Sequence, residues 1–264
     1  MADRHRPRKR FGQHFLHDRG VIEKIIASIA PEGDDRLVEI GPGLGALTRP
    51  LLEAHGEVEA VELDRDVIPL LEERCAGAGK LQVHQQDALK TNFREFAGKG
   101  RLRLVGNLPY NISTPLLFHL LSQADAIHDM HFMLQREVVD RICAQPGTRT
   151  YGRLTVMLAH GLYAQRLFTI GPGAFRPPPA VDSAVIRLIP HRTPPFETGD
   201  PALFAAIVNQ AFSQRRKTLR NALKPLVSAE KMAEADVDPA ARPETLAPHE
   251  FGHLSAMISE QNRT

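Results

Sequence analysis

Short apolar runs alternate with helix-spaced apolar residues through most of the chain. Leu37–Ile40, Val58–Val61, Leu81–Gln85, Leu102–Val105 and His131–Leu134 read as strands. Ile22, Ile25, Ile26 and Ile29 recur at the spacing of one helix face, and Pro31 and Gly33 end that helix. Leu47, Leu51 and Leu52 mark a second helix, and Asp66–Arg74 a third. Thr114-Pro115 reads as an N-cap with proline at the first helical position, ahead of Leu116, Leu117, Leu120 and Leu121. Val138, Val139 and Ile142 supply another helix, and Leu154–Leu158 a short one. Strands alternating with helices predict an α/β fold built on an open sheet. Ala164–Ile170 and Ala184–Ile189 read as later strands.

Beyond them the strand pattern stops. Pro190–Pro201 carries four prolines, two threonines and a Gly-Asp pair, which is a linker signature. Leu203, Phe204, Ile207, Val208, Ala211 and Phe212 then form a helical apolar face, and Phe251, Leu254, Met257 and Ile258 form a last one. The expected division is an α/β domain over residues 1–192 and a small all-α domain over residues 193–264.

Composition changes this picture little. The net charge of +2 over 264 residues means that affinity for nucleic acid must come from local clusters. The two cysteines, Cys75 and Cys143, lie far apart and suit a reducing cytosol, so a cytoplasmic protein is expected. No apolar run reaches the roughly 20 residues of a membrane helix. His14 with His17, and His128 with His131, are three apart but lack Cys or acidic companions in ligand spacing, so no metal is expected.

The chemistry gathers at the strand ends. The first strand opens into Gly41-Pro42-Gly43-Leu44-Gly45, where missing Cβ atoms let a ligand approach the backbone. Glu62 ends the next strand, about twenty residues on, where doubly wound folds place a carboxylate for ribose hydroxyls. Loop and acid together do not separate a nicotinamide site from an S-adenosylmethionine site. Asp87, after the third strand, serves either as acceptor for the amino group of a bound nucleoside or as a helix N-cap.

Asn107-Leu108-Pro109-Tyr110 follows the fourth strand and its exit at Gly106. The Asn side-chain oxygen and the Leu108 carbonyl are two acceptors, enough for both hydrogens of an exocyclic amine. Acceptors out of the base plane favour a tetrahedral nitrogen with a localised lone pair. No general base is then needed before attack on an electrophilic methyl. Pro109 stiffens the turn and Tyr110 offers a ring for stacking. The alternative is an ordinary strand-to-loop turn. Gly106 and a flexible Leu108 are expected to leave room for a methyl already present. Phe175, ahead of Arg176-Pro177-Pro178-Pro179, serves either as a second ring opposite Tyr110 or as core packing.

Two basic clusters remain. Arg8, Lys9 and Arg10 belong to an N-terminal arm that either follows a phosphate backbone or is a solvated tail. Arg215, Arg216, Lys217 and Arg220 lie on a helix or helix-turn that either tracks RNA phosphates or is a solvated face.

Taken together, Arg8 through Leu16, Ile40 through Gly45, Glu62, Asp87, Asn107 through Tyr110, Phe175 through Ser183 and Phe212 through Asn221 resemble the ribosomal RNA adenine dimethyltransferase family, in its bacterial small-subunit branch. The resemblance spans nearly the whole chain. It implies a Rossmann-like methyltransferase domain with a helical C-terminal domain, and S-adenosylmethionine as donor. It implies a donor site formed by His14, Leu16, Gly41, Gly43, Glu62, Asp87 and Asn107. Many members carry Asn where this chain has His14. The implied substrate is a pair of adjacent adenosines in the loop of the 3′-terminal helix of 16S rRNA, each dimethylated at N6 in a pre-30S particle; a monomer is the default expectation. Three rivals stand beside it: a 23S rRNA adenine methyltransferase, an assembly factor without essential chemistry, and a nicotinamide-dependent oxidoreductase.

Overall fold

The computed structural model describes residues 14–262. In chain order they form β1 (Phe15–Leu16), α1 (Arg19–Ile29), β2 (Arg36–Ile40), α2 (Thr48–His55), β3 (Glu57–Glu62), α3 (Ile68–Cys75) and β4 (Lys80–Gln85). There follow α4 (Arg94–Ala97), β5 (Leu102–Asn107), α5 (Ser113–Leu121), β6 (Ile127–Gln135), α6 (Arg136–Ile142), α7 (Arg153–Ala159) and β7 (Leu162–Ile170). The chain closes with β8 (Phe175–Arg176), β9 (Ser183–Pro190), α8 (Pro201–Ser213), α9 (Leu219–Ala222), α10 (Ala229–Glu234) and α11 (Pro248–Gln261).

The chain divides into two units. One holds the described residues up to Val139 together with Gln165–Pro190; the other holds Asp140–Ala164 and the described part of His191–Thr264. This differs from a single boundary after residue 192. Residues 140–164 join the helical unit because Tyr151 and Val156 pack into one apolar core with Phe204, Ile207, Phe251 and Leu254. Tyr151 is fully buried there, and its hydroxyl donates to the Leu246 carbonyl at 2.7 Å.

The larger unit is built on a seven-stranded sheet in the order β4-β3-β2-β5-β6-β9-β7. Strands β4 to β6 pair in parallel, and β9 runs antiparallel to β6. The interior strand β2 is buried along Leu37–Ile40, as a parallel strand covered on both faces should be. The chain steps outward from β2 through β3 to β4, then returns to β5 on the other side of β2. That reversal is a topological switch point, where open α/β sheets leave a crevice for ligands.

A buried ionic network pins α1 to this sheet. The Arg103 guanidinium, on β5, donates to the Ile29 carbonyl at 2.7 Å, to Asp35 at 2.6 Å and to Asp129 at 2.9 Å. Arg187 on β9 reaches the same Asp129 at 2.9 Å. It explains why β6 starts at Ile127, well before His131. The polar positions His128 and Asp129 interrupt the apolar run, but Asp129 is neutralised in place rather than solvated.

Other boundaries also shift. Helix α5 begins at Ser113, with Ile112 rather than Thr114 at the capping position and no side-chain cap. The turn after Pro109 already winds helically, since Ile112 N–H donates to the Pro109 carbonyl at 3.2 Å. Among the described residues no helix is long and apolar enough to cross a membrane.

Candidate active site

At the switch point the ends of β2, β3, β4 and β5 converge on a cavity of about 790 Å³. Its lining includes His14, Leu16, the glycine loop from Gly41 to Gly45, Glu62, Asp87 and Asn107 through Tyr110. The structure thus brings together every described cofactor-site residue expected from the sequence.

The loop after β2 takes its shape from glycine. Gly41, Gly43 and Gly45 have φ of 68°, 54° and 85°, in the left-handed region where side chains are strained. The Gly43 N–H donates to Glu62 Oε2 at 3.2 Å, and Asp64 N–H donates to Oε1 at 2.8 Å. With the Leu63 N–H as a third backbone partner, the carboxylate still keeps acceptor capacity for a ligand hydroxyl. Burial raises the Glu62 pKa, and the backbone N–H groups of Asp64 and Gly43 oppose the rise.

Asp87 follows β4 and caps a turn rather than a helix. Its Oδ1 accepts the Leu89 N–H at 3.0 Å, capping the turn, while the residue lines the cavity. Glu39 was not foreseen. It lies on β2, is 2% exposed, lines the cavity, and its Oε2 has no partner among the described residues. Burial pushes its pKa up to about 7. A charged residue inside the run Leu37-Val38-Glu39-Ile40 was the available signal.

Asn107 ends β5. Its Nδ2 donates to the His14 main-chain carbonyl at 3.1 Å. A carbonyl only accepts, so this contact fixes which end of the carboxamide is nitrogen and leaves Oδ1 unclaimed among the described residues. The Leu108 N–H donates to the Met133 carbonyl at 3.1 Å, and its own carbonyl has no partner among the described residues. Tyr110 is anchored by its hydroxyl, 2.8 Å from Ser183 Oγ, and its carbonyl accepts from Ser113 Oγ at 3.1 Å.

Three expectations change. Phe175 does not face Tyr110 across the cavity: it is 2% exposed and packs in the core with Leu16 and Ile25. The two-residue strand β8 turns Phe175 inward and Arg176 outward, and Phe175 pairs with Leu16 of β1. Gly106 does not make room for a methyl: a Cβ there would collide with the Ile40 carbonyl oxygen, so its bareness serves the approach of β5 to β2. Leu108 is 1% exposed, a packed residue rather than a flexible one.

The basic clusters divide. Arg8, Lys9 and Arg10 lie outside the described residues. In the helical unit, Arg215 spends its guanidinium on Glu244 at 2.6 Å and on the carbonyls of Arg149 and Thr148. Arg216, Lys217 and Arg220 are exposed.

The profile of the family described as ribosomal RNA adenine dimethylase matches residues 4–260. The chain belongs to that family. It is similar to the ribosomal RNA small subunit methyltransferase A of Methylococcus capsulatus, with 56% identity over 97% of this chain and 99% of that protein. The protein of the same name from Pseudomonas aeruginosa is 52% identical over 97% of this chain and 96% of its own length. Among solved structures, a dimethyladenosine transferase from Plasmodium falciparum superposes with a TM-score of 0.80 at 25% identity, covering 94% of this chain and 98% of that one. The 23S rRNA methyltransferase ErmE shares the fold, with a TM-score of 0.71 at 24% identity, covering 92% of this family member and 99% of ErmE.

Proposed function

We propose that this chain is an S-adenosylmethionine-dependent adenine N6,N6-dimethyltransferase. Its proposed substrate is the pair of adjacent adenosines in the loop of the 3′-terminal helix of 16S rRNA, within a pre-30S particle. The observation that carries the reading is the anchored carboxamide. Asn107, held through Nδ2 and with Oδ1 unclaimed among the described residues, lines the same cavity as the glycine loop and Glu62.

When bound, S-adenosylmethionine supplies an electrophilic methyl group on a positively charged sulfur. The residues present fit it. Glu62 has acceptor capacity left for a ribose hydroxyl, Asp87 has a second oxygen for an amino group, and Glu39 offers a buried carboxyl group with an unclaimed oxygen. His14, Leu16, Gly41, Gly43 and Asn107 complete the wall. The cavity is acidic inside, while Arg49, Arg74 and Arg176 on its lining are exposed. Acids within suit a cationic donor, and cations at the exposed positions suit an RNA strand.

Toward the target base, Asn107 Oδ1 and the Leu108 carbonyl accept the two amine hydrogens and draw the nitrogen lone pair out of conjugation. They then stabilise the positive charge the nitrogen carries until its proton leaves to solvent. Tyr110 stacks on the base, which is cheaper to unstack from a loop than from a duplex. Arg216, Lys217 and Arg220, with the basic arm at Arg8, Lys9 and Arg10, are proposed to follow RNA phosphates.

Methylation of 23S rRNA is the nearest alternative. The small-subunit reading is favoured by relatives more than half identical over nearly their whole length that carry the small-subunit name. The test is incubation of undermethylated 30S and 50S subunits with isotopically labelled donor, followed by mass spectrometry of the RNA. Label appearing as dimethyladenosine in a 3′-terminal fragment of 16S rRNA is the expected result. Label confined to 23S rRNA, or none at all, overturns the reading.

A further inference from the structure

Asn107 and Tyr110 share one strand ending, yet one residue from outside it holds both. The His14 main chain fixes the carboxamide, and the His14 side chain covers Tyr110. The imidazole lies over the phenol ring with centroids 5.8 Å apart and planes 29° apart, an offset stack. His14 Nδ1 is 2.8 Å from the Pro177 carbonyl oxygen, so it carries hydrogen and donates. With its hydroxyl at Ser183 and one face against His14, the Tyr110 ring is held from two sides.

Bases stack at roughly 3.4 Å, so a base between two rings needs about 6.8 Å. The observed 5.8 Å is too little. The target must therefore use the face of Tyr110 turned away from His14. We propose that the His14 imidazole is a positioning residue for the target base, backing Tyr110 so that its opposite face is presented to adenine. This rests on the methyltransferase reading above. It also gives the segment around Pro177–Ser183 a purpose that does not require Phe175: its two ends hold the two rings. The carbonyl contact to Asn107 survives any substitution at position 14, whereas the stack is specific to a ring.

Three variants test it: His14→Ala, His14→Phe and His14→Asn. Each is assayed by initial rates on 30S particles, by direct titration with S-adenosylmethionine, and by ring resonances of the three tyrosines, with Tyr110 assigned from Tyr110→Phe. Phe keeps the ring and loses the Pro177 bond; Asn keeps a donor and loses the ring. Expected are a roughly tenfold fall in kcat at saturating donor for Ala and Asn, and a clearly smaller fall for Phe. Tyr110 resonances should shift in Ala and Asn and stay shielded in Phe. Phe no better than Ala, or Ala at the wild-type kcat once donor is saturating, overturns the proposal. Wild-type protein that transfers no methyl to the particle sinks the underlying reading instead, and unshifted Tyr110 resonances in His14→Ala then still refute the stack.

Discussion

The Asn107 carboxamide donates to the main-chain carbonyl of His14 at 3.1 Å, across ninety-three positions of sequence. This contact ties the end of β5 to the segment entering β1. It fixes which end of the amide is spent on the main chain and leaves Oδ1 without a partner among the described residues, free for the role proposed above.

Asn107→Ala should therefore remove an acceptor aimed at developing positive charge. Losses of about a hundredfold or more in kcat are typical for such groups. Asn107→Asp tests orientation separately. A carboxylate cannot donate to the His14 carbonyl, so the side chain turns or the β1 segment shifts, and activity should fall despite the added negative charge. Single-turnover methylation of 30S particles measures both. Asp as active as Asn would show that the anchoring contact does not matter.

Tyr110 separates into ring and hydroxyl. Tyr110→Phe keeps the stacking face and loses the 2.8 Å contact with Ser183. Tyr110→Ala loses both. The expected order is a several-fold fall for Phe and about a hundredfold for Ala, since stacking of a flipped base on an aromatic ring is worth about 1–3 kcal/mol. Equal defects in the two variants would place the effect in the hydroxyl bond.

Much of this site was legible because its parts stand at strand ends with unusual residue types. Gly41 through Gly45, Glu62, Asp87 and Asn107 through Tyr110 each break a local pattern, and open α/β sheets bring such breaks to one edge. Phe175 was misplaced because a two-residue strand carries no periodicity. Which way its ring turns is decided by pairing with Leu16, a partner far away in sequence. Asp129 and Glu39 were hidden for a related reason. A charge inside an apolar run reads as an interruption until the Arg103 and Arg187 guanidiniums, or the cavity, are seen beside it. The boundary of the helical unit was missed because the core position of Tyr151 depends on helices more than fifty residues later.

Glu39 makes stability depend on pH. Its folded-state pKa is raised from 4.5 to about 7 by burial, so the folded protein holds a proton that the unfolded chain has released. The associated stability is present below about pH 4.5 and is lost as pH rises through 7. The shift corresponds to about 3 kcal/mol as an upper scale. His131 works in the opposite sense: burial lowers its pKa from 6.5 to about 4, so its contribution is present above 6.5 and lost as pH falls toward 4. Comparing wild type with Glu39→Gln cancels the His131 term. Urea unfolding between pH 5 and 8 should show Gln gaining on wild type as pH rises. A difference that stays constant with pH would rule this out.

The basic run of the helical unit should behave as two groups. Arg215 bonds to Glu244 and to two carbonyls, so Arg215→Ala should lower the melting temperature by several degrees. Arg216, Lys217 and Arg220 are exposed and have no ion-pair partner among the described residues. Replacing all three with Ala should leave the melting temperature nearly unchanged, because surface charges away from pairs contribute little to stability. If they meet RNA phosphates, each releases a counterion on binding. The slope of log affinity against log salt should then flatten by about 2 in the triple variant, at roughly 0.7 per phosphate. Filter binding to 30S particles across a salt series measures the slope, and differential scanning fluorimetry measures the stability. An unchanged slope in a stably folded triple variant would remove these three residues from the RNA surface. A flattened slope in Arg215→Ala alone would show that its internal bonds yield to phosphate.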